Sequence, residues 1–260
     1  MIDNSKFMCT EILSKNPECE VSVCKRLSTD KIFVLKQFLY KNNIQDFVNL
    51  NEIDIYKKIS EDGSYDKMGI PTIYEIGKNY ISMEYLKFDL YDYWCLRDFS
   101  LHISEIKNIA IQIFSAVNYL HQKGIVHRDI KLENLLYHCG KVKICDFDRS
   151  ITKENLVYEG YKLTGTIGYF APEMYNQYYD EKIDVWSTGI CIYELLVGKS
   201  PFFDIQSEND NEKIKVEMEK KYQEVKKNKK FSCFQSLLEY NFEKRPSFEY
   251  LIAKFSMKKL

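Results

Sequence analysis

The segment from His127 to Asn134 constrains this chain more than any other sequence feature. It reads His-Arg-Asp-Ile-Lys-Leu-Glu-Asn, and Asp146 followed by Phe147 comes twelve residues after its Asn. Two carboxylates, an amide and an ammonium group therefore stand at fixed separations. These separations are typical of a functional site. The alternative to a functional site is a polar loop formed by chance beside a strand, because Asp and Asn are ordinary turn residues.

The residues between these two motifs predict how the fold brings them together. Two short apolar runs, Leu135 to Tyr137 and Val142 to Cys145, flank Gly140. This pattern is typical of a β-hairpin, because glycine adopts the backbone conformations that tight hairpin turns need. The sequence therefore predicts a hairpin that presents Asp146 at its end.

Further motifs stand before and after this pair, and their order along the chain is informative. A strand-like run ends at Lys36, a helical stretch contains Glu52, and another strand-like run leads into Met83-Glu84-Tyr85-Leu86. Downstream, three more segments form recognisable sequence motifs: Gly165-Thr166-Ile167-Gly168-Tyr169-Phe170-Ala171-Pro172-Glu173, Asp184-Val185-Trp186-Ser187-Thr188-Gly189 and Glu243-Lys244-Arg245-Pro246-Ser247.

Taken together, from Lys36 to Arg245, these motifs resemble those of the eukaryotic-type protein kinases. The resemblance covers nearly the whole chain and implies one kinase domain over residues 1–260. It implies an α+β, bilobal fold. The expected parts are a small N-terminal β-sheet lobe with one helix (1–83), a hinge (84–87) and a larger, mainly helical C-terminal lobe (88–260).

The resemblance also implies a reaction: transfer of the γ-phosphoryl group of ATP to Ser or Thr hydroxyls of a protein, with ATP and Mg²⁺ as cofactors. Asp129 is then the catalytic base, and Lys131 screens charge on the transferring group. Thr166 helps to fix Lys131 to Asp129. Asn134 and Asp146 are the expected magnesium ligands.

The expected nucleotide site centres on Lys36, which binds the α- and β-phosphates, and on Glu52, which orients it. Each residue alone has a simpler explanation, as a lysine at a strand end or a solvated helical glutamate. The hinge is expected to bind adenine through backbone groups, and apolar side chains to enclose the ring. The remaining nucleotide-binding residues are Val21, Val34, Met83, Glu84, Leu86 and Leu136.

The same resemblance yields weaker expectations about substrates and about support of the site. Lys131 stands where serine/threonine kinases carry lysine, and Glu133 and Asp89 stand where basophilic kinases recognise Arg, so a basic substrate segment is expected. Residues 179–203 are most similar to the Aurora group. Glu173 and Arg245 are expected to form a buried structural ion pair.

Local patterns predict the main secondary-structure elements. Apolar residues at helical spacing from Ser104 predict a helix that Ser104 caps and Gly124 ends. Glu and Lys dominate residues 207–230, which predicts a solvated helix with Glu217 one turn from Lys221. The other predictions are strands at Val21 to Val23, Ile32 to Phe38 and Tyr80 to Met83, a helix from Asp46 to Ile59, and a buried helix from Asp184 to Val197.

The pattern is broken at two places near the expected phosphate site. The three positions of the glycine-rich loop hold Ser14, Asn16 and Cys19, with Pro17 among them, and Asp148 replaces the glycine of Asp-Phe-Gly. Side chains crowd a phosphate loop and proline lacks an amide donor. A pseudokinase, or a weakly active kinase serving as a binding scaffold, is therefore the alternative function.

The usual activating phosphothreonine position, three residues before Gly165, holds Lys162. Arg128, which would bind that phosphate, then lacks its expected partner. Tyr161 and Thr164 are adjacent candidates for modification, and Glu159 is a candidate for a permanent negative charge.

Bulk composition restricts the partners. The chain has 37 Lys and Arg against 38 Asp and Glu, so its net charge favours neither a nucleic-acid nor a membrane partner. Its eight cysteines show no metal-ligand spacing, and no signal peptide or membrane span is evident, which predicts an intracellular protein, cytoplasmic or nuclear. Oligomeric state is not predicted.

Overall fold

The computed structural model describes residues 6–39, 45–61, 63–159, 162–176, 178–206 and 210–256. The N-terminal part is an antiparallel sheet with strand order β1-β2-β3-β5-β4 and one helix, α1, which follows β3. Its elements are β1 (Phe7–Lys15), β2 (Cys19–Arg26), β3 (Ile32–Phe38), α1 (Gln45–Ser60), β4 (Ile73–Ile76) and β5 (Tyr80–Glu84).

The C-terminal part is mainly helical, with two small sheets of order β6-β8-β9 and β10-β7. Its strands are β6 (Phe88–Asp89), β7 (Ile125–Val126), β8 (Leu135–His138), β9 (Lys141–Ile144) and β10 (Ile151–Thr152). Its helices are α2 (Leu90–Leu96), α3 (Ile103–Gln122), α4 (Lys153–Glu159), α5 (Lys182–Val197), α6 (Phe203–Gln206), α7 (Asn211–Lys227) and α8 (Phe248–Ser256). Within the described ranges, no helix is long and apolar enough to cross a membrane.

Helix α3 forms where its apolar periodicity predicts, but its first residue differs from the prediction. The helix begins at Ile103, and the ring of His102 accepts the Ser104 amide, so His102 rather than Ser104 is the N-cap. A ring nitrogen has therefore taken the role that a hydroxyl usually fills. At the other end, Gly124 follows the C-cap with φ of 70°, as a helix-terminating glycine should.

Helix α7 is amphipathic rather than solvated on every side, which corrects the prediction for residues 207–230. Four apolar residues at helical spacing are buried against the C-terminal core: Ile214, Met218, Tyr222 and Val225. Glu217 pairs with Lys220, three residues away, and not with the predicted Lys221. Positions three and four residues apart are both neighbours on a helix, so charge spacing alone does not decide between them. Residues 207–209 lie outside the described ranges.

The β8–β9 hairpin carries the second motif of the site. Its strands pair antiparallel, and the two turn residues, Cys139 and Gly140, have φ of 48° and 77°. Positive φ at both central positions is the signature of the tight turns that match strand twist. Strand β9 ends at Ile144, so Cys145, predicted as the last residue of this strand, lies outside it, and Asp146 follows Cys145 directly.

Candidate active site

The expected phosphate-binding lysine lies at the centre of a three-residue ion-pair network. The Nζ atom of Lys36, in β3, donates to Oε1 of Glu52 in α1 at 2.6 Å and to Oδ1 of Asp146 at 2.8 Å. Glu52 is only 2% exposed. The network therefore ties the sheet, its helix and the end of the β8–β9 hairpin to one ammonium group.

Burial disfavours the charged forms of Lys36, Glu52 and Asp146, whereas the attraction between their opposite charges favours those forms. Burial raises the pKa of Glu52 to about 7, and Lys36 only partly opposes this. Burial also acts against charge on Lys36, but the two carboxylates outweigh it and raise the Lys36 pKa well above its usual value. The same attraction outweighs burial at Asp146 and lowers its pKa. Lys36 and Asp146 are therefore charged at neutral pH.

Asp129, the expected catalytic base, is held by a hydroxyl and an ammonium group. Oγ1 of Thr166 donates to Oδ1 of Asp129 at 2.6 Å, and Nζ of Lys131 donates to Thr166 at 3.1 Å. Gly165, just before Thr166, has φ of 120°, and a Cβ there would lie 2.5 Å from the Arg128 carbonyl oxygen. Only glycine permits this close approach between the two segments.

Asn134 is oriented by its amide nitrogen. This nitrogen donates to the Asp129 carbonyl at 2.8 Å and lies 3.4 Å from the Asp129 carboxylate. Asn134 is 5% exposed. Its carbonyl oxygen is the atom with the chemistry of a magnesium ligand, because Mg²⁺ prefers oxygen donors.

Phe147 is fully buried and anchors the adjacent Asp146. Its ring packs edge-on against Tyr56 of α1, with centroids 4.9 Å apart, and lies 5.3 Å from the ring of His127. Asp146 itself has φ of 65°, outside the usual range for a residue with a side chain. Packing of Phe147 between the lobes thus holds Asp146 in the conformation that meets Lys36.

A buried carboxylate holds the backbone of the expected catalytic loop. Asp184, at the start of α5, accepts the amides of His127 at 2.9 Å and Arg128 at 3.0 Å. It also contacts Nε2 of His121 at 2.8 Å. These partners satisfy a fully buried charge, as burial requires.

The apolar residues expected to enclose adenine lie on both sides of the interlobe connection. Val21 is on β2, Val34 and Met83 are paired across β3 and β5, and Leu136 is on β8. Met83 and Leu86 are buried, whereas the other three are partly exposed. Partial exposure is what side chains lining an open cleft would show.

Glu84 belongs to strand β5, which therefore extends one residue into the predicted hinge of residues 84–87. Its carboxylate accepts the Thr72 amide at 3.0 Å and Nζ of Lys143, on β9, at 2.5 Å. The side chain of Glu84 is thus committed to bracing the connection between the lobes. Its backbone amide donates to the Thr72 carbonyl at 2.8 Å, so only its carbonyl is left for the predicted adenine contact.

The turn between β1 and β2, at the position of the expected glycine-rich loop, is closed by a side chain. Oδ1 of Asn16 accepts the amides of Glu18 at 2.8 Å and Cys19 at 2.7 Å. Pro17, which lies between Asn16 and Glu18, has no amide hydrogen. Two amides that a glycine-rich loop would offer to phosphates are therefore already used, a feature that sequence inspection missed although Asn is a known Asx-turn former.

Asp148 adds an extra carboxylate beside Asp146. Burial and the charge of Asp146 raise its pKa. One of its oxygens lies 3.3 Å from Nε of Arg149, and the other is buried without a hydrogen-bond partner in the described part of the chain.

The donor set fits a magnesium site that is completed by phosphate. The oxygens of Asn134 and Asp146 are hard ligands, and the orphaned oxygen of Asp148 adds negative potential nearby. Across the described ranges, no three His, Cys, Asp or Glu side chains converge as a preformed metal centre. Mg²⁺ commonly binds through one or two carboxylates together with substrate phosphates, so two protein ligands are sufficient.

The segment after Asp148 is attached to both lobes by contacts that the sequence did not reveal. Nδ2 of Asn51, in α1, donates to the Ser150 carbonyl at 2.8 Å, and the Ser150 hydroxyl donates to the His127 carbonyl at 3.2 Å. Nε of Arg128 donates to the Arg149 carbonyl at 2.6 Å. Arg128 therefore contacts this segment although the usual phosphothreonine is absent.

Only some of the expected regulatory residues lie within the described ranges. Lys162 is exposed, and its carbonyl accepts the Tyr179 hydroxyl at 2.8 Å, while Thr164 is partly exposed. Tyr161 and the side chain of Glu159 lie outside the described residues. Their roles in modification or charge stay predictions.

Glu194 is a further candidate that sequence reasoning missed. This residue of the buried helix α5 is 9% exposed and accepts the Tyr169 hydroxyl at 2.7 Å. Burial, with a smaller contribution from the charge of Glu133, raises its pKa to about 7. An acidic residue within the apolar run from Asp184 to Val197 was the available signal.

Glu173 and Arg245 form the expected buried pair. The two guanidinium nitrogens contact the two carboxylate oxygens at 2.5 and 2.7 Å, a bidentate geometry. Arg245 also donates to the carbonyls of Lys182, Glu239 and Tyr240. The pair therefore joins three segments beneath the substrate-side loop.

Comparison with known proteins bears on the family and the fold of this chain. The model of the protein kinase domain matches residues 17–255. The chain is 31% identical over 80% of its length to a CaM kinase-like vesicle-associated protein of Xenopus laevis, covering 56% of that protein. It is 34% identical over 71% of its length to the serine/threonine-protein kinase ppk16 of Schizosaccharomyces pombe, covering 28%, and 36% identical over 68% to the rat NUAK family SNF1-like kinase 2, covering 29%.

The chain thus spans from about a quarter to about half of the length of these curated relatives. None of these three relatives is named as an Aurora kinase, and the similarity of residues 179–203 to the Aurora group stays a resemblance. A crystal structure described as a kinase domain matches with a TM-score of 0.78 at 20% identity, covering 98% of this chain and 96% of that one, which confirms the α+β, bilobal fold. On its motifs, its fold and a family match over most of its length, this chain belongs to the protein kinase domain family.

Proposed function

We propose that this chain is an ATP- and magnesium-dependent serine/threonine protein kinase. The observation that carries the proposal is the bridge from Lys36 to both Glu52 and Asp146. It requires the helix and the Asp-Phe motif to be in place together, as phosphoryl transfer by a protein kinase does. The proposed domain comprises residues 1–260.

The reaction would rely on positioning and electrostatics. Asp129 would orient the acceptor hydroxyl and take its proton, while Lys131 would offset charge on the transferring phosphoryl group. Lys36 would hold the α- and β-phosphates. Magnesium bound by Asn134 and Asp146 would neutralise phosphate charge.

Protein segments with basic residues near a Ser or Thr are the proposed substrates. Lys131 supports Ser and Thr as acceptors. Burial and, to a smaller extent, the charge of Glu133 raise the pKa of both Asp89 and Glu194, so the three carboxylates share one region. A positively charged peptide would relieve their repulsion. An intracellular location, cytoplasmic or nuclear, is proposed from the cysteine pattern alone.

The alternative is a pseudokinase, or a weak kinase acting as a scaffold. It is favoured by the closed Asn16 turn and by Asp148, which leave fewer groups for phosphate and add a negative charge. The proposed function therefore needs a binding test that is separate from turnover.

We expect Mg-ATP to stabilise the chain against thermal unfolding. At about one hundred times its dissociation constant, a ligand adds about 2.7 kcal/mol to the free energy of unfolding. The shift should be larger with magnesium than with EDTA, and Asp146→Asn should abolish the magnesium-dependent part. The control is Asp54→Asn, which removes an exposed helical carboxylate that pairs with Lys57. Absence of any shift with Mg-ATP would exclude the proposed enzyme.

Opening the β1–β2 turn should strengthen nucleotide binding. Asn16→Ala removes the acceptor of the Glu18 and Cys19 amides, which then become free to contact phosphate. One new hydrogen bond from these amides to phosphate contributes about 0.5–1.5 kcal/mol net, so for each such bond we expect the ATP dissociation constant to fall roughly 2- to 12-fold, measured by titration calorimetry.

The matched control for the turn is Asn241→Ala. Asn241 makes a similar side-chain bond to the Glu243 amide at 3.0 Å, near the pair of Glu173 and Arg245. It should leave the ATP dissociation constant unchanged. Weaker or unchanged ATP binding by Asn16→Ala would show that the turn amides do not limit phosphate contact.

A further inference from the structure

Two cysteines face each other across the first two strands. Cys9 of β1 and Cys24 of β2 are direct partners in the antiparallel register. Their Sγ atoms lie 2.8 Å apart. Directly opposed residues of antiparallel strands have Cα atoms about 4.5–5.5 Å apart, within the range that a disulfide requires.

Local structure keeps the two side chains in register. The ladder is irregular between Cys9 and Glu11, where β1 contains an extra residue. Oγ1 of Thr10, at this irregularity, donates to the Val23 carbonyl at 3.1 Å. A bulge of this kind pins strand register, so the pairing of Cys9 with Cys24 is a specified feature of the hairpin.

The two sulfurs differ in their access to solvent. Strand β1 is the edge of the sheet, and Cys9 is exposed on it. Cys24 is fully buried in a small apolar cluster with Phe33 and Leu35. A dissolved oxidant therefore meets Cys9 first.

The environment of Cys24 makes it the cysteine that reacts second, after Cys9 has been oxidised. Burial, followed by the contact with Cys9, raises the pKa of Cys24 to about 12. The reactive thiolate form of Cys24 is therefore scarce at neutral pH, so a dissolved oxidant reacts with it slowly, whereas an oxidised Cys9 sulfur is held in contact with it, 2.8 Å away. Cys24 stays within reach of any oxidised form of Cys9.

We propose that Cys9 and Cys24 are the site of a reversible intramolecular disulfide formed by peroxide-class oxidants. The Cys9 sulfur attacks one peroxide oxygen, the O–O bond breaks, and a sulfenic acid and water form. The Cys24 sulfur then attacks the Cys9 sulfur, the S–S bond forms, and the S–O bond breaks with loss of water that carries the Cys24 proton. Two thiols are oxidised to one disulfide, and one hydrogen peroxide is reduced to two waters.

The bond would lie in the hairpin whose turn contains Asn16. It would join β1, which is exposed along nearly its whole length, covalently to the rest of the sheet. We expect hydrogen exchange of the β1 amides to slow by about tenfold or more on oxidation, because opening of the edge strand becomes restricted.

The test treats the full, reduced chain with hydrogen peroxide and then blocks the remaining thiols by alkylation. Non-reducing peptide mapping by mass spectrometry should identify one major cross-link, between the peptides of Cys9 and Cys24. Dithiothreitol should remove it. The exposed Cys139 provides the matched control, so Cys139→Ser should leave the cross-link unchanged.

Two single variants separate the proposed roles. Cys9→Ser, a near-isosteric change at an exposed site, should abolish the cross-link. Cys24→Ala should also abolish it and leave Cys9 trapped as a sulfenic acid that dimedone labels. Oxidation of wild-type Cys9 to sulfinic acid without a cross-link, or a cross-link that persists in Cys9→Ser, would overturn the proposal.

Discussion

Asp129→Asn is expected to lower phosphate transfer by about 10²–10⁴-fold, the usual contribution of a general base. The amide has nearly the same shape as the carboxylate, and its oxygen can still accept the Thr166 hydroxyl that holds Asp129 at 2.6 Å. It does not accept the proton of an acceptor hydroxyl. The loss should therefore fall on kcat, with little change in the thermal shift caused by Mg-ATP. Transfer from labelled ATP to a generic basic protein is the measurement.

A control variant at a second carboxylate shows whether the loss is specific to Asp129, and each further result of the assay has its own interpretation. Asp92→Asn removes an exposed acidic side chain in the first turn of α2 and should retain wild-type transfer. Equal transfer by wild type and Asp129→Asn would reveal a contaminating kinase. No transfer by wild type, together with a clear Mg-ATP thermal shift, would favour the scaffold alternative or a kinase that needs an activator.

Much of the fold could be predicted from sequence where local periodicity and tertiary packing agree. Three sequence patterns each indicate one structure: the apolar spacing of α3, the apolar residues on nearly every face of α5, and the two apolar runs around Gly140 in the β8–β9 hairpin. The catalytic motifs could also be placed, because their spacing implies a hairpin between Asn134 and Asp146. Lys36 and Glu52, found as separate motifs, indeed meet in the structure.

Features that depend on long-range geometry could not be predicted in this way. The contact of Asn51 with Ser150 joins residues 99 positions apart, and that of Tyr169 with Glu194 depends on how a loop lies over α5. The pairing of Cys9 with Cys24 requires the exact register of β1, which a bulge alters. Composition likewise concealed the buried face of α7, because charged residues outnumber its four buried ones.

Breaking the buried pair of Glu173 and Arg245 should have the largest effect on stability. Arg245→Met keeps much of the side-chain volume but leaves the Glu173 carboxylate, only 4% exposed, without its partner. Stranding a buried charge costs about 3–5 kcal/mol. For a chain of this size, roughly 2–4 °C is lost per kcal/mol, so we expect a fall in Tm of roughly 6–20 °C by calorimetry.

The pair itself, rather than the packing of one side chain, should account for this loss. The double variant Glu173→Gln with Arg245→Met removes both charges, so it should be more stable than the sum of the two single losses predicts. Lys153→Ala provides the contrast, because its ion pair with Glu181 is largely solvated, with side chains 40% and 35% exposed, and should contribute about 0–1 kcal/mol. Additive losses would mean that Arg245 acts mainly through the carbonyls of Lys182, Glu239 and Tyr240. The ion pair would then be secondary to the role of Arg245 in joining residues 239–240 to the start of α5, beneath the loop that contains Thr166.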